Sequence, residues 1–320
     1  FIFAQFPAVD GFTHRHGPDS PQVHRTMRAL DATIGQVRAA LARRDELDDT
    51  LIVLVSDHGA STVHTHLDLG DWFRRHGVPT LAHPNLWTRA PRCAVTVSGN
   101  GHAMVYARPG TPRSDRWPVA RLRRPDAFGS EGDLVQALAR EPAVAFVAGE
   151  SARGGLELVS QDGTADLARI GHRIVYRPRT GDPLQLRITR AATEDDWLAH
   201  GRLDPYPDAA VQLLDQFQAP RTGDLVVVAS EGFDLRARFE APEHRAGHGS
   251  LVRSHMQIPL WSSEPLPAAP LRSVDVFPAL LDWLGEPIPD GLDARPLWLP
   301  GTRRREPVRR PTRPAAIAIG

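Results

Sequence analysis

Three short clusters bring together residue types that can hold cations. Asp10-Gly11-Phe12-Thr13-His14-Arg15-His16-Gly17-Pro18 sets a carboxylate and an imidazole four residues apart in what reads as a polar loop. Such a pair can turn onto one metal ion. Taken alone, Asp10 capping a turn beside two surface histidines is the simpler reading. Ser56-Asp57-His58-Gly59 directly follows the apolar run Leu51–Val55. Asp and His at the end of a buried strand cost free energy unless they are paired or coordinated. Gly59 lets the backbone turn sharply away. A carboxylate with a neutral imidazole suits zinc first and manganese second. Gly247-His248-Gly249-Ser250 leaves one imidazole between two glycines, free to reach into a site. His244 and His255 read as satisfied polar residues rather than ligands.

The elements that must position these clusters follow from periodicity. Phe1–Phe6 reads as a buried strand ending at Pro7. Ser20 stands as an N-cap with Pro21 at the first helical position. Val23, Met27, Leu30, Ile34, Val37 and Leu41 then step by three and four, which predicts an amphipathic helix to about Arg44. The continuous run Leu51–Val55 suits a central parallel strand covered on both faces. Strand, helix and strand make a βαβ unit. Further helices are expected at 67–76, 134–140, 209–217 and 274–284, the last closed by Gly285 and Pro287. Strands are expected at 93–98, 103–107, 144–147, 156–159, 173–176, 184–188, 225–228 and 258–260. The fold class is α/β, a mostly parallel sheet flanked by helices, with an α+β insertion at about residues 84–205. All three clusters follow strands that could lie side by side, and ligand sites in such folds lie beyond the strands' carboxyl ends.

Composition narrows the partners. The 320 residues carry 38 basic and 38 acidic side chains, a formal net charge of zero. A bulk attraction to nucleic acid or membrane is not indicated. No apolar run of about 18 residues suggests a transmembrane segment, and no signal peptide is visible. Cys93 is the one cysteine, so no intrachain disulfide is possible and the compartment stays open. It reads as a small buried hydrophobe, and Trp261, Trp283 and Trp298 read as packing residues. Residues 301–320 are rich in Arg and Pro and are expected to be a solvated, disordered tail. The opening Phe1, already inside a strand pattern, suggests a chain cut at its N-terminus.

The order Asp-x-x-x-His-x-x-Gly-Pro, Ser-Asp-His-Gly, Gly-His-Gly-Ser resembles the alkaline phosphatase superfamily, in particular its type I phosphodiesterase and nucleotide pyrophosphatase branch. The resemblance extends through Ser98-Gly99-Asn100-Gly101 and Val274-Asp275-Val276-Phe277-Pro278 and covers most of residues 1–295. It implies a metal-dependent hydrolase of phosphate esters with two divalent cations, zinc first. Asp10, His14 and His248 would hold one ion, and Asp57 and His58 the other. Cations about 4 Å apart clamp a phosphate between attacking and leaving oxygens. The family completes the second site with an earlier Asp and a nucleophilic Thr or Ser, both expected upstream of residue 1. Ser61 and Thr62 follow the ligand pair and are not assigned that role. The expectation is weak metal binding and poor turnover for this chain alone. The substrate is a small phosphate ester, not a nucleic acid polymer. The alternatives are a sulfatase-type hydrolase, a phosphomutase, or a non-catalytic degenerate member. The reading requires His248 to lie within about 8 Å of His14 and His58, given metal–ligand bonds of ~2 Å.

Overall fold

The computed structural model describes residues 1–108, 116–186, 191–236 and 243–294. They form two compact units. The first comprises Phe1–Asp45 and His58–Ile258; the second comprises Glu46–Asp57 and the described residues from Pro259 onward.

The first unit begins without regular structure at residues 1–6, where a strand was expected. Phe1, Ile2 and Phe3 are exposed. An apolar run becomes a strand only where a neighbour supplies the other half of its hydrogen bonds, and no described strand borders these residues. Helix α1 (Ala8–His16) replaces the expected loop. Its polar composition hides it from a search for an apolar stripe. Gly17, at φ +87°, ends it. Helix α2 (Pro21–Ala42) starts as the sequence indicates, with the Ser20 side chain accepting the Val23 N–H.

Strand β1 (Val53–Val55) belongs to the second unit. The first unit resumes with β2 (Ser61–Thr62), β3 (Thr65–His66), α3 (Leu69–Arg75), β4 (Thr80–Ala82), β5 (Cys93–Ser98) and β6 (His102–Tyr106). Short helices α4 (Val119–Leu122) and α5 (Pro125–Phe128) precede α6 (Leu134–Ala139), β7 (Val144–Glu150), β8 (Leu156–Val159), β9 (Thr164–Ile170) and β10 (Arg173–Thr180). Helices α7 (Glu194–Gly201) and α8 (Ala209–Gln218) lead to β11 (Leu225–Ala229), β12 (Phe233–Asp234), β13 (Ala246–Gly247) and α9 (Arg253–Met256).

The class is α/β, a large central sheet flanked by helices. The sheet has eight strands in the order β10-β9-β8-β7-β11-β6-β5-β4. Strand direction departs from expectation: β4 and β5 are parallel, and every other neighbouring pair is antiparallel. The run Leu225–Ala229 is buried throughout because both sheet faces are covered. Leu225, Val227 and Ala229 face a cluster that includes Trp72, Phe73, Phe128 and Leu138. Val226 and Val228 face another that includes Phe146, Trp197, Leu213 and Phe217. A run apolar at every position reports two covered faces and is blind to direction. Residues 84–205, expected as an insertion, supply six strands of this one sheet. Strand β9 was not anticipated. Leu184–Leu186 is not a strand, and the rest of the strand expected at 184–188 lies outside the described residues. Outermost, β10 is bridged by Ala192 at Ile174, carries exposed Arg177 and Pro178, and shifts register between Pro178 and Thr180.

In the second unit β1 pairs antiparallel with β14 (Leu260–Ser262). Helix α10 (Val276–Leu284) closes on Gly285 at φ +71°. Strand β1 is therefore a short two-stranded element and not the central parallel strand expected; Val55 is exposed. Trp261, expected to pack, is exposed as well. Trp298 and the Arg-rich tail lie outside the described residues. No helix among the described residues is long and apolar enough to cross a membrane.

Candidate metal centre

Helix α1 puts Asp10 and His14 one turn apart on one face. Asp10 Oδ1 lies 3.4 Å from His14 Nε2. His248 follows β13, which pairs antiparallel with β2 in the register Ala246–Thr62 and Gly247–Ser61. That pairing draws the segment after His58 to the segment before His248. Asp10 Oδ1 is then 3.8 Å from His248 Nε2 and 4.0 Å from His58 Nε2. One carboxylate oxygen is thus ringed by three imidazole nitrogens. The ligand atoms of Asp10, His14 and His248 lie within 4.8 Å of one another. The His58 and His248 rings stack at 3.5 Å and 7°, and the His14 and His248 centroids are 5.1 Å apart. Asp57 is the last residue of the second unit's first segment.

The imidazoles are oriented by their other nitrogens. His14 Nδ1 is 2.8 Å from the Ala246 carbonyl oxygen, and His58 Nδ1 is 3.0 Å from that of Gly59. A carbonyl only accepts, so each Nδ1 carries the proton and each Nε2 keeps its lone pair. Such backing fixes tautomer and ring direction in metal-ligating histidines. The residues present therefore fit a divalent cation by donor chemistry as well as by spacing. Ser98-Gly99-Asn100-Gly101 seats His248: its N–H donates to Gly99 O at 2.8 Å, and its carbonyl accepts from Gly101 N–H at 2.8 Å. A Cβ at Gly99 (φ +58°) would stand 2.6 Å from His248 Nδ1, so only glycine allows this approach.

His255 lies behind the site. The Ser250 N–H donates to its Nδ1 at 3.1 Å, so Nε2 carries the proton and donates to Ser61 Oγ at 2.8 Å. An imidazole donating to a hydroxyl cannot deprotonate it, so this contact does not activate Ser61 as a nucleophile. Burial first, then the imidazoles of His248 and His58, push the His255 pKa down to about 4. Unfolded histidine titrates near ~6.5. The neutral form is favoured on folding, so this contribution is complete above pH ~6.5 and is lost as pH falls toward 4. A gap of that size is worth roughly 3 kcal/mol. Urea unfolding of chelator-treated protein should show stability falling across that window, and His255→Gln should flatten the fall. An unchanged slope in the variant would assign the pH dependence to other groups.

A second cluster adjoins the first and was not legible in the sequence. Asp234, at the end of β12, is buried. Its Oδ1 accepts from the Arg236 N–H at 2.7 Å, and its Oδ2 from Asn100 Nδ2 at 2.9 Å. His66 Nδ1 and His244 Nδ1 lie 3.6 and 3.9 Å from the same Oδ2. The His244 ring centroid is 4.8 Å from that of His14. His244, read from sequence as a satisfied polar residue, is indeed hydrogen-bonded, to Asn100.

A carboxylate and oriented imidazoles, gathered on one helix and on loops beside an α/β sheet, define the class of site: a candidate centre for a divalent cation. The family model for type I phosphodiesterase/nucleotide pyrophosphatase matches residues 1–251. The chain belongs to that family, within the alkaline phosphatase superfamily. It is 35% identical over 76 residues to the human ectonucleotide pyrophosphatase/phosphodiesterase family member 7, an alignment covering 24% of this chain and 16% of that protein. Murine ectonucleotide pyrophosphatase/phosphodiesterase 5 is similar with a TM-score of 0.46 and 12% identity, over 88% of this chain and 53% of that one. Phosphonoacetate hydrolase from Sinorhizobium meliloti 1021, solved with phosphonoformate, gives a TM-score of 0.40 and 16% identity, over 82% and 46%. The chain spans about half the length of these solved relatives or less.

Proposed function

We propose that this chain carries the metal centre of a phosphate-ester hydrolase, of the phosphodiesterase or nucleotide pyrophosphatase kind. Asp10, His14 and His248 hold one divalent cation, zinc first, and Asp57 and His58 hold a second. The observation that carries the reading is the convergence of three Nε2 atoms on Asp10 Oδ1, with Nδ1 of His14 and His58 tied to carbonyls. The ions would supply Lewis acidity and positive charge to a transferring phosphoryl group.

The chain's own residues do the rest. Asp10 offsets cationic charge, and the carbonyls of Ala246 and Gly59 hold the His14 and His58 rings in place. Gly99 and Gly101 hold the backbone of His248. Ser61, hydrogen-bonded by His255, is not assigned as nucleophile. The substrate is a small phosphate ester, with mono- and diesters both admitted.

Elemental analysis of the purified chain, paired with hydrolysis of nitrophenyl phosphate mono- and diesters, tests the reading. Bound zinc or another divalent ion is expected, with hydrolysis abolished by chelator and restored by zinc. A protein that takes up no divalent ion, or one whose hydrolysis ignores the chelator, would sink it.

A further inference from the structure

A cavity of about 720 Å³ opens in the first unit between the first turn of α2 and residues 62–66 and 243–245. Its wall adjoins the candidate metal centre at His244, which lines the cavity and whose ring centroid is 4.8 Å from that of His14. The Arg245 N–H also donates to the His14 carbonyl at 2.7 Å, fixing this wall to α1. His66 lines the same cavity. The two imidazoles share one carboxylate, Asp234, which is 1% exposed. A carboxylate so deeply buried is costly unless it is hydrogen-bonded or paired. Its Oδ2 faces His66 Nδ1 at 3.6 Å and accepts from Asn100 Nδ2, which also donates to His244 Nδ1, an arrangement that fits the task of orienting the two rings, one directly and one through the amide.

The remaining walls define the ligand chemistry. Asp19 and Glu243 offer acceptors, Arg245 offers donors, and the Thr62 hydroxyl offers both. The wall sets two carboxylates against Arg245 and the imidazoles of His16 and His64, so it lacks the one-sided positive charge that would select a second phosphate. A mixture of donors and acceptors matches a group that presents hydroxyls, each of which both gives and takes a hydrogen bond. The volume falls in the range of small-molecule sites, ~300–1,000 Å³, far beyond what one phosphate needs.

We propose that this cavity receives a hydroxyl-rich substituent, a sugar or polyol, of the phosphate ester held at Asp10, His14 and His248. His66 and His244 contact that substituent, and Asp234 is the positioning residue that faces His66 directly and acts on His244 through Asn100, which donates to both Asp234 Oδ2 and His244 Nδ1. The proposal rests on the metal-centre reading, and its test separates the two.

Calorimetric titration of the zinc-loaded chain with inorganic phosphate, phenyl phosphate and glucose 1-phosphate supplies that test. Glucose 1-phosphate should bind about tenfold more tightly than phenyl phosphate, the increment of one or two good hydrogen bonds. His66→Ala and Asp234→Asn should each weaken glucose 1-phosphate about tenfold and leave inorganic phosphate within about twofold. His66→Gln, which keeps a donor and an acceptor, should retain most of the affinity. Retained phosphate binding also shows that the variants fold. Equal affinity for the two organic phosphates overturns the proposal while the metal centre stands. So does a parallel loss of both glucose 1-phosphate and inorganic phosphate in the variants, which would make the cluster purely structural. Failure of inorganic phosphate to bind the zinc-loaded wild type removes the metal-centre reading, and this proposal with it.

Discussion

Asp10→Ala should strip the chain of its bound cation and lower phosphate-ester turnover more than ~100-fold, the upper range seen when even outer-shell partners of a metal are lost. The Asp10 side chain is 47% exposed and sits in the first turn of α1. Alanine is the best helix former, and the lost interaction with the helix dipole is worth only ~0.3–1 kcal/mol. Metal-free stability should therefore stay within about 1 kcal/mol of wild type. The three imidazoles, in contrast, lose the one oxygen they share. Elemental analysis gives occupancy, initial rates give turnover, and thermal unfolding of chelator-treated protein gives the fold. Unaltered metal content in the variant would remove Asp10 from the ligand set.

Gly59→Ala should be among the most disruptive single-methyl changes in the first unit. A Cβ there would stand 2.1 Å from the Ser254 carbonyl oxygen and 3.3 Å from that of Gln257. Both are backbone atoms, so no side chain can swing aside. Either the His58–Gly59 backbone or α9, which carries His255, must move. Overpacking of this kind costs about 1–3 kcal/mol and occasionally more; the upper end is expected, with a matching loss of metal affinity as the His58 ring shifts. Gly35→Ala is the contrast. It lies inside α2 with nothing within 4 Å of its added methyl, and should stabilise by about 1 kcal/mol through helix propensity alone. Equal melting temperatures for the two variants would contradict the close approach at residue 59.

The legible parts of the fold were those that advertise themselves locally. Strands β5 and β8 begin and end where alternation and turn residues place them, and α2 opens at Ser20. Direction and partnership were not legible. Leu225–Val228 and Leu51–Val55 are equally apolar, yet one is the middle of an eight-stranded sheet and the other a short antiparallel pair. The difference lies in which distant residues cover them. At the candidate site, Asp10, His14, His58 and His248 drew notice because carboxylate and imidazole sit beside glycines in sequence. Asp234 and His66 left no such trace, and Asn100 was noticed only as part of the Ser98–Gly101 motif. They meet only because β12 pairs with β3 and because Asn100 bridges to His248. Helix α1 escaped detection for a related reason: its donors need a helix, but its sequence has no stripe to bury.

The outer strand of the sheet, β10, has a bearing on how copies of the chain behave at high concentration. Past Ile174 it presents exposed Arg177, a proline that has no N–H to offer, and a local shift in register. A second molecule seeking to extend the ladder there meets like charge, a missing donor and mismatched spacing. These are the devices by which natural β-proteins resist fibre growth at a sheet margin. Exchanging Arg177 and Pro178 for apolar, donor-bearing residues would turn that margin into a template.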